Sequence, residues 1–317
     1  MRRRRFLSTV AAAGAGIAAA QSADQTAEAR PPRRLKHRAL GNTGRSLSII
    51  GLGGIVVSQI SQSEANDMVS WSWDRGVNYF DVAPTYGNAQ ERLGPALKPY
   101  RDRAFLACKT AKRGAVEARQ ELDESLRLLQ TDHIDLYQFH GITRPEEVRQ
   151  IMGDRGAMDT FIRARDKGLI RYIGFSAHSV DAALMAMEEF DFDTVLFPLN
   201  VVCVQNGSFG PQVIKRAKQS GTQCLALKAM AWTKVARGQQ RKYPKCWYAP
   251  IDDPDLASLA VRYTLDLPVV AAVPPGDGRL FKMAVEAALR YKPLEDQERE
   301  ALLQRVADVE PIFAHET

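Results

Sequence analysis

The chain has 317 residues, 45% hydrophobic and 25% charged, the composition of an ordinary globular protein. Its net charge of +6 comes from basic and acidic residues that alternate through the helical stretches, without the concentrated basic face of a nucleic-acid binder. The four cysteines, Cys108, Cys203, Cys224 and Cys246, form no CxxC pair. The sequence therefore offers no metal or redox motif, and the four read as small buried thiols.

Residues 1–23, MRRRRFLSTVAAAGAGIAAAQSA, place Arg2–Arg5 before an Ala/Gly-rich apolar run from Phe6 to Ala20. That run is too short and too weakly apolar for a membrane span, and the layout is that of a secretory signal. Consecutive arginines before Phe6-Leu7 resemble the twin-arginine type of bacterial signal. Residues 1–29 are assigned to this export signal and 30–35 to a linker, within a polar stretch from 24 to 35 expected to be disordered. The barrel domain is 36–317. The expected location is periplasmic or otherwise exported, with membrane contact only through the signal. Twin-arginine export carries folded proteins, so a nucleotide could be acquired before export.

From residue 38 the pattern becomes regular. RALGNTGRSLSII reads as a β-hairpin around Gly41–Gly44. SIIGLGG (48–54) is a strand ending in glycines. Ser63–Arg75 is a helix with Ser63 as a candidate N-cap. Strands at 78–81, 103–109, 134–140, 170–176, 194–197, 223–227 and 269–273 then alternate with helices. Those helices fall at 90–97, 115–129, 157–167, 180–189, 211–219, 254–265 and 280–290. Gly168 closes one of them and Pro254 opens another. Eight strand–helix units imply an α/β fold, a (β/α)8 TIM barrel with an N-terminal β-hairpin. Gly51, Gly53 and Gly54 do not make the GxGxxG turn that a doubly wound sheet would need. The long segment 231–253 follows the seventh strand. It reads either as a basic, aromatic lid or as a solvated loop packed on the rim.

Asp81, Lys109 and His140 each close a strand, and Tyr86 follows Asp81 in the next loop. The C-terminal strand ends form the active face of such a barrel. Carbonyl reduction needs a hydride at carbon and a proton at oxygen. Tyr86 can donate the proton, and the Lys109 ammonium is expected to lower its pKa from about 10. Asp81 would hold Lys109, and His140 would donate a hydrogen bond to the carbonyl oxygen.

GVNYFDVAPTYGNAQERLG and DHIDLYQFHG, with the strand lysine between them, resemble the aldo-keto reductase family over about residues 36–290. The resemblance implies catalytic roles for Asp81, Tyr86, Lys109 and His140. It also implies NADP(H), possibly NAD(H), as cofactor and a small carbonyl or alcohol as substrate. Cofactor contacts are expected from Gly54, Asp81, Ser176, Lys228, Gly276 and Arg279. The pattern departs in four places, one of them on the sixth strand, where the usual glutamine contact falls near Leu196. Ala177 replaces the usual asparagine after Ser176, Leu227-Lys228 stand where an aromatic residue is usual, and VPPGDGRLF replaces the usual phosphate segment. Two other readings remain open: a catalytically degenerate barrel that binds a ligand or partner, and a lyase using Lys109 as a Schiff base.

Overall fold

The computed structural model describes residues 33–315; the proposed signal and the first half of the linker lie outside them. A short antiparallel hairpin comes first, β1 (His37–Ala39) and β2 (Ser46–Ser48), turning at Gly41 and Gly44, both at positive φ. Then β3 (Leu52–Gly53), β4 (Tyr79–Asp81), β5 (Phe105–Thr110), β6 (Ile134–Ile142), β7 (Ile170–Ala177), β8 (Thr194–Pro198) and β9 (Gln223–Leu227) pair in sequence, all parallel. A second hairpin, β10 (Ala231–Lys234) with β11 (Tyr248–Pro250), rises from the loop after β9, and β12 (Ala271–Val273) completes the sheet. A bridge from Ile50 to Ala272 closes it into a barrel, with the Gly51 amide donating to Ala272 O at 2.9 Å.

The helices are α1 (Gln62–Asp74), α2 (Ala89–Leu97), α3 (Ala115–Leu128), α4 (Pro145–Met152), α5 (Ala157–Asp166), α6 (Val180–Glu189), α7 (Val201–Asn206), α8 (Pro211–Ser220), α9 (Pro254–Asp266), α10 (Gly278–Leu289) and α11 (Asp296–Val306). The eight units fall where the periodicity puts them. The short α4 and α7 and the C-terminal α11 were not anticipated. The cap of α1 is Ser61 rather than Ser63. The Glu64 amide donates to Ser61 Oγ and the Ser61 amide to Glu64 Oε2, a reciprocal pair unavailable to Ser63. Order also begins earlier than expected: Leu35 is buried, its amide donates to Arg75 O at 2.8 Å, and Arg34 Nη2 reaches Trp73 O.

Strand alternation sends every second side chain inward. Tyr79, Phe105, Leu136, Leu196 and Leu225 fill the barrel interior, and the hairpin adds Leu40 and Leu47 to that same cluster. A separate, larger cluster lies between strands and helices. Near the start of β6, the fully buried Asp135 accepts from Arg45 (3.3 Å), Arg101 (3.1 Å), Arg171 and the Leu106 amide (3.0 Å). It ties the hairpin, β5, β6 and β7 together at the end opposite the strand-end polar residues. Asp135→Ala should cost about 3 kcal/mol, because Arg101 and the Leu106 amide lose a buried acceptor. Arg45→Ala, at a half-exposed partner, should cost under about 1 kcal/mol. Urea unfolding of the two variants checks the ranking; equal losses would remove Asp135 as the anchor.

Candidate active site

Parallel pairing brings the strand-end residues to the same mouth of the barrel, with Lys109 and Gln138 one inward step beyond Asp81. Gly53 is opposite Asp81, Asp81 opposite Ala107, and Lys109 opposite Gln138. Along β4, β5 and β6 the inward series therefore run Tyr79–Asp81, Phe105–Ala107–Lys109 and Leu136–Gln138–His140. Each starts apolar in the barrel and ends polar at its mouth. Lys109 Nζ donates to Asp81 Oδ2 at 2.5 Å and to Val82 O at 3.2 Å. Gln138 Nε2 donates to Asp81 Oδ1 at 3.0 Å, so both carboxylate oxygens are held. Tyr86 lies over this pair: Lys109 Nζ is 5.3 Å from its ring centroid, and the His140 ring meets it edge-on at 5.5 Å. All four predicted catalytic residues line one open cleft of about 690 Å³.

Burial disfavours the Lys109 ammonium, yet the charge and hydrogen bond of Asp81, helped by the neighbouring Tyr86 oxygen, outweigh it and hold the lysine above its ordinary value. A permanently charged amine is a poor Schiff-base nucleophile, which argues against the lyase reading. For Tyr86 the expectation needs correction. Burial raises the phenol and Lys109 only partly opposes it, so the net direction is upward. Tyr86 therefore keeps its proton at neutral pH. His140 is pushed down to about 3, by burial first and then by the charges of Lys109, Lys228 and Arg113. It is a neutral imidazole whose Nδ1 is 3.3 Å from Thr85 Oγ1.

The predicted cofactor residues scatter more. Ser176 and Gly276 line the cleft, and the Ser176 hydroxyl accepts from the Gly141 amide at 2.8 Å. Gly54 and Gly276 each have a packing reason to be glycine: a Cβ would strike Val82 or Ile55. Lys228 lines the cleft too, with its Nζ 2.9 Å from His178 Nε2. Arg279 is outside the cleft lining, where Asp277 holds it with two contacts of 3.0 Å beside the Tyr243 ring. The segment 231–253 supports both earlier readings. Lys245, Cys246, Trp247 and Tyr248 form part of the cleft wall, while Tyr243 is buried and Lys242 pairs with Asp252.

Gln138 and His178 were missed. Gln138 precedes His140 by two residues on the same strand, so inward alternation alone could have found it. His178 is the penultimate residue of IGFSAHS, just beyond the strand; its side chain stacks on Phe313 at 5.0 Å, a contact with no local signal.

A parallel eight-stranded barrel with a buried lysine–carboxylate pair, a tyrosine and a neutral histidine at its C-terminal mouth defines an oxidoreductase-type barrel. Residues 49–277 match the Aldo/keto reductase family, and the chain belongs to it. It is 31% identical over 190 residues to aldo-keto reductase YhdN of Bacillus subtilis, covering 53% of each chain. The chain spans about half the length of the curated relatives it matches. An aldo-keto reductase from Bacillus halodurans in its holo form superposes with a TM-score of 0.69 at 21% identity, over 90% of this chain and 99% of that one. A Bombyx mori aldo-keto reductase in complex with NADP gives 0.63 at 20%, over 86% and 92%.

A histidine held far below its ordinary 6.5 makes the folded state bind fewer protons than the unfolded chain. Its contribution to stability is thus complete above 6.5 and shrinks as the pH falls toward about 3. Between pH 7 and pH 5, wild type should lose up to about 2 kcal/mol more stability than His140→Gln, which has nothing to protonate. Parallel denaturation curves at the two pH values measure this; a pH-independent difference would mean His140 is not held neutral.

Proposed function

We propose that the protein is an exported, NADP(H)-dependent oxidoreductase that interconverts a small carbonyl compound and its alcohol, with Tyr86 as the proton donor. The observation that carries this reading is the Tyr86 phenol, protonated and close to both the Asp81-held Lys109 ammonium and the neutral His140. The surroundings suit a dinucleotide. The cleft is open to solvent, Leu196, Leu227 and Val273 give it apolar wall, and Lys245 brings positive charge to it without a carboxylate bound to its Nζ among the described residues. Ser176, Gly276 and Lys245 would hold the cofactor, with Arg279 nearby but committed to Asp277. Bound there, NADP(H) supplies or accepts the hydride.

The chain's own residues manage the proton. With the Thr85 hydroxyl donating to Nδ1, His140 carries its proton on Nε2 and can donate it to the substrate oxygen. As negative charge builds on that oxygen, Tyr86 transfers its phenolic proton, leaving phenolate beside Lys109. Lys109 stabilises that phenolate more than the phenol, and Asp81 with Gln138 keeps the ammonium in place. In the alcohol-oxidising direction the same phenolate takes the proton back.

Tyr86→Phe should lower turnover of a test aldehyde with NADPH by roughly 10²- to 10⁴-fold while nucleotide affinity stays within a few-fold. Wild-type turnover in the variant would remove Tyr86 as donor. Absence of any NADPH or NADH binding by the wild type would favour the binding-module reading instead.

The export part rests on Arg3, Arg4, Phe6 and Leu7, which lie outside the described residues. Replacing Arg3 and Arg4 together by lysine keeps the charge and should abolish translocation, as cell fractionation would show. Undiminished export would point to another route.

A further inference from the structure

We propose that Lys228, oriented by His178, receives the negative group of the substrate, so that the substrate class is an anionic aldehyde or ketone such as a carboxylate-bearing carbonyl compound. This rests on the oxidoreductase reading and narrows it.

Charge in the cleft is unbalanced. Asp81 is the only acidic residue lining it, against Lys109, Lys228 and Lys245. Asp81 is used up by Lys109 and Gln138. Among the described residues Lys228 has no carboxylate partner; the contact recorded for its Nζ is His178 Nε2 at 2.9 Å. That geometry makes Nε2 the acceptor and puts the imidazole proton on Nδ1, leaving the remaining ammonium protons free for a ligand. Phe313 stacks on His178 at 5.0 Å, and the rings of Phe313 and Trp247 lie 5.7 and 5.9 Å from Lys228 Nζ. These apolar walls keep the local dielectric low, where a charge–charge contact is worth most. Lys228 also holds a left-handed backbone, φ 59°, a conformation that side-chain-bearing residues adopt at a cost. The lysine lies close enough to the reacting end for its charge to act on His140. A bound anion would therefore place its carbonyl toward Tyr86 and His140.

The groups that face Lys228 are His178 beyond β7, Lys109 on β5, Cys203 on α7 and the aromatic rings of Trp247 and Phe313, with His140 acting on His178. Burial lowers Lys228 to about 7, with Lys109 pushing the same way and Cys203 opposing. His178 is held well below its ordinary value and stays neutral, by burial first and then by Lys228 and His140. Lys228 is thus an ammonium below about pH 7 and loses its charge above it. Affinity for an anion should fall as pH rises through that region, and affinity for a neutral isostere should not.

The probes are 2-, 3- and 4-carboxybenzaldehyde with their methyl esters, assayed with NADPH. At pH 6 at least one acid should exceed its ester in kcat/KM by roughly 10- to 100-fold, the worth of a charge-assisted contact. The ratio should shrink between pH 6 and pH 9. Lys228→Met should bring it to about 1, and Lys228→Arg should restore part of it. Acid and ester used equally well by the wild type would overturn the proposal and leave the oxidoreductase reading standing. An unchanged ratio in Lys228→Met, with weakened NADPH binding, would instead assign Lys228 to the cofactor and overturn it too. If none of the six aldehydes is turned over, the oxidoreductase reading is judged by NADPH binding and the anion site by ligand binding alone: equal dissociation constants for benzoate and benzamide would overturn the site.

Discussion

The buried ion pair between Lys109 and Asp81 is the constraint around which the mouth of the barrel is arranged. An ammonium with almost no solvent contact is costly unless a partner and further hydrogen bonds replace its water. Here Asp81 Oδ2 and Val82 O take its protons, and Gln138 occupies the other carboxylate oxygen. Removing Asp81 would leave Lys109 uncompensated, and removing Lys109 would strand a carboxylate. The pair also sets the potential for its neighbours. The same ammonium lowers the cost of phenolate at Tyr86 and helps keep His140 uncharged. One interaction thus acts on both the Tyr86 phenol and the His140 imidazole, the two groups proposed to meet the substrate oxygen.

The barrel makes such a pair affordable. Its strands begin in apolar layers, with Tyr79, Phe105 and Leu136 buried beneath the polar ends. Inward alternation lets three adjacent strands bring Asp81, and one inward step further on Lys109 and Gln138, to the same mouth of the barrel. Beneath that layer the hairpin contributes Leu40 and Leu47, and Asp135 gathers three arginines near the start of β6. Stability and chemistry are thus placed at opposite ends of the same strands.

What was legible in the sequence followed from local periodicity. The strand and helix spans, and the tetrad at strand ends, depend on residues near one another in the chain or on a fixed alternation. Some local features were missed too, namely α4, α7, α11, the Ser61 cap and Gln138, but the rest of what was not legible depends on distant partners or on side-chain placement. His178 acquires its setting from Phe313, 135 positions away by their numbers, and from Lys228, at a separation of 50. The commitment of Arg279 to Asp277 is local, yet both signs of charge in GDGRLF allow either a free or a paired arginine until the side chains are placed. The direction of the Tyr86 shift was misjudged for a related reason: the sequence reveals the neighbouring lysine but not how completely the phenol is removed from water.

The three lysines of the cleft show how a partner, more than burial, decides what a side chain can do. Burial disfavours the charge on each of them. Lys109 is nevertheless raised, because a carboxylate answers it at 2.5 Å. Lys228 has a neutral imidazole for a partner and falls to about 7. Lys245, on the carbonyl of Val56, is also lowered. A carboxylate fixes the first as a permanent cation within the tetrad. The other two have no carboxylate bound to their Nζ among the described residues, which leaves them open to an incoming anion. Cofactor phosphates and a substrate carboxylate are both anions of that kind. Lys245 shares the cleft wall with Gly276, on the side proposed for the cofactor, whereas the charge of Lys228 acts on His140. The same residue type is thus given three different settings within one cleft, separated by the identity of the atom each ammonium meets, and the roles proposed for the three follow that difference.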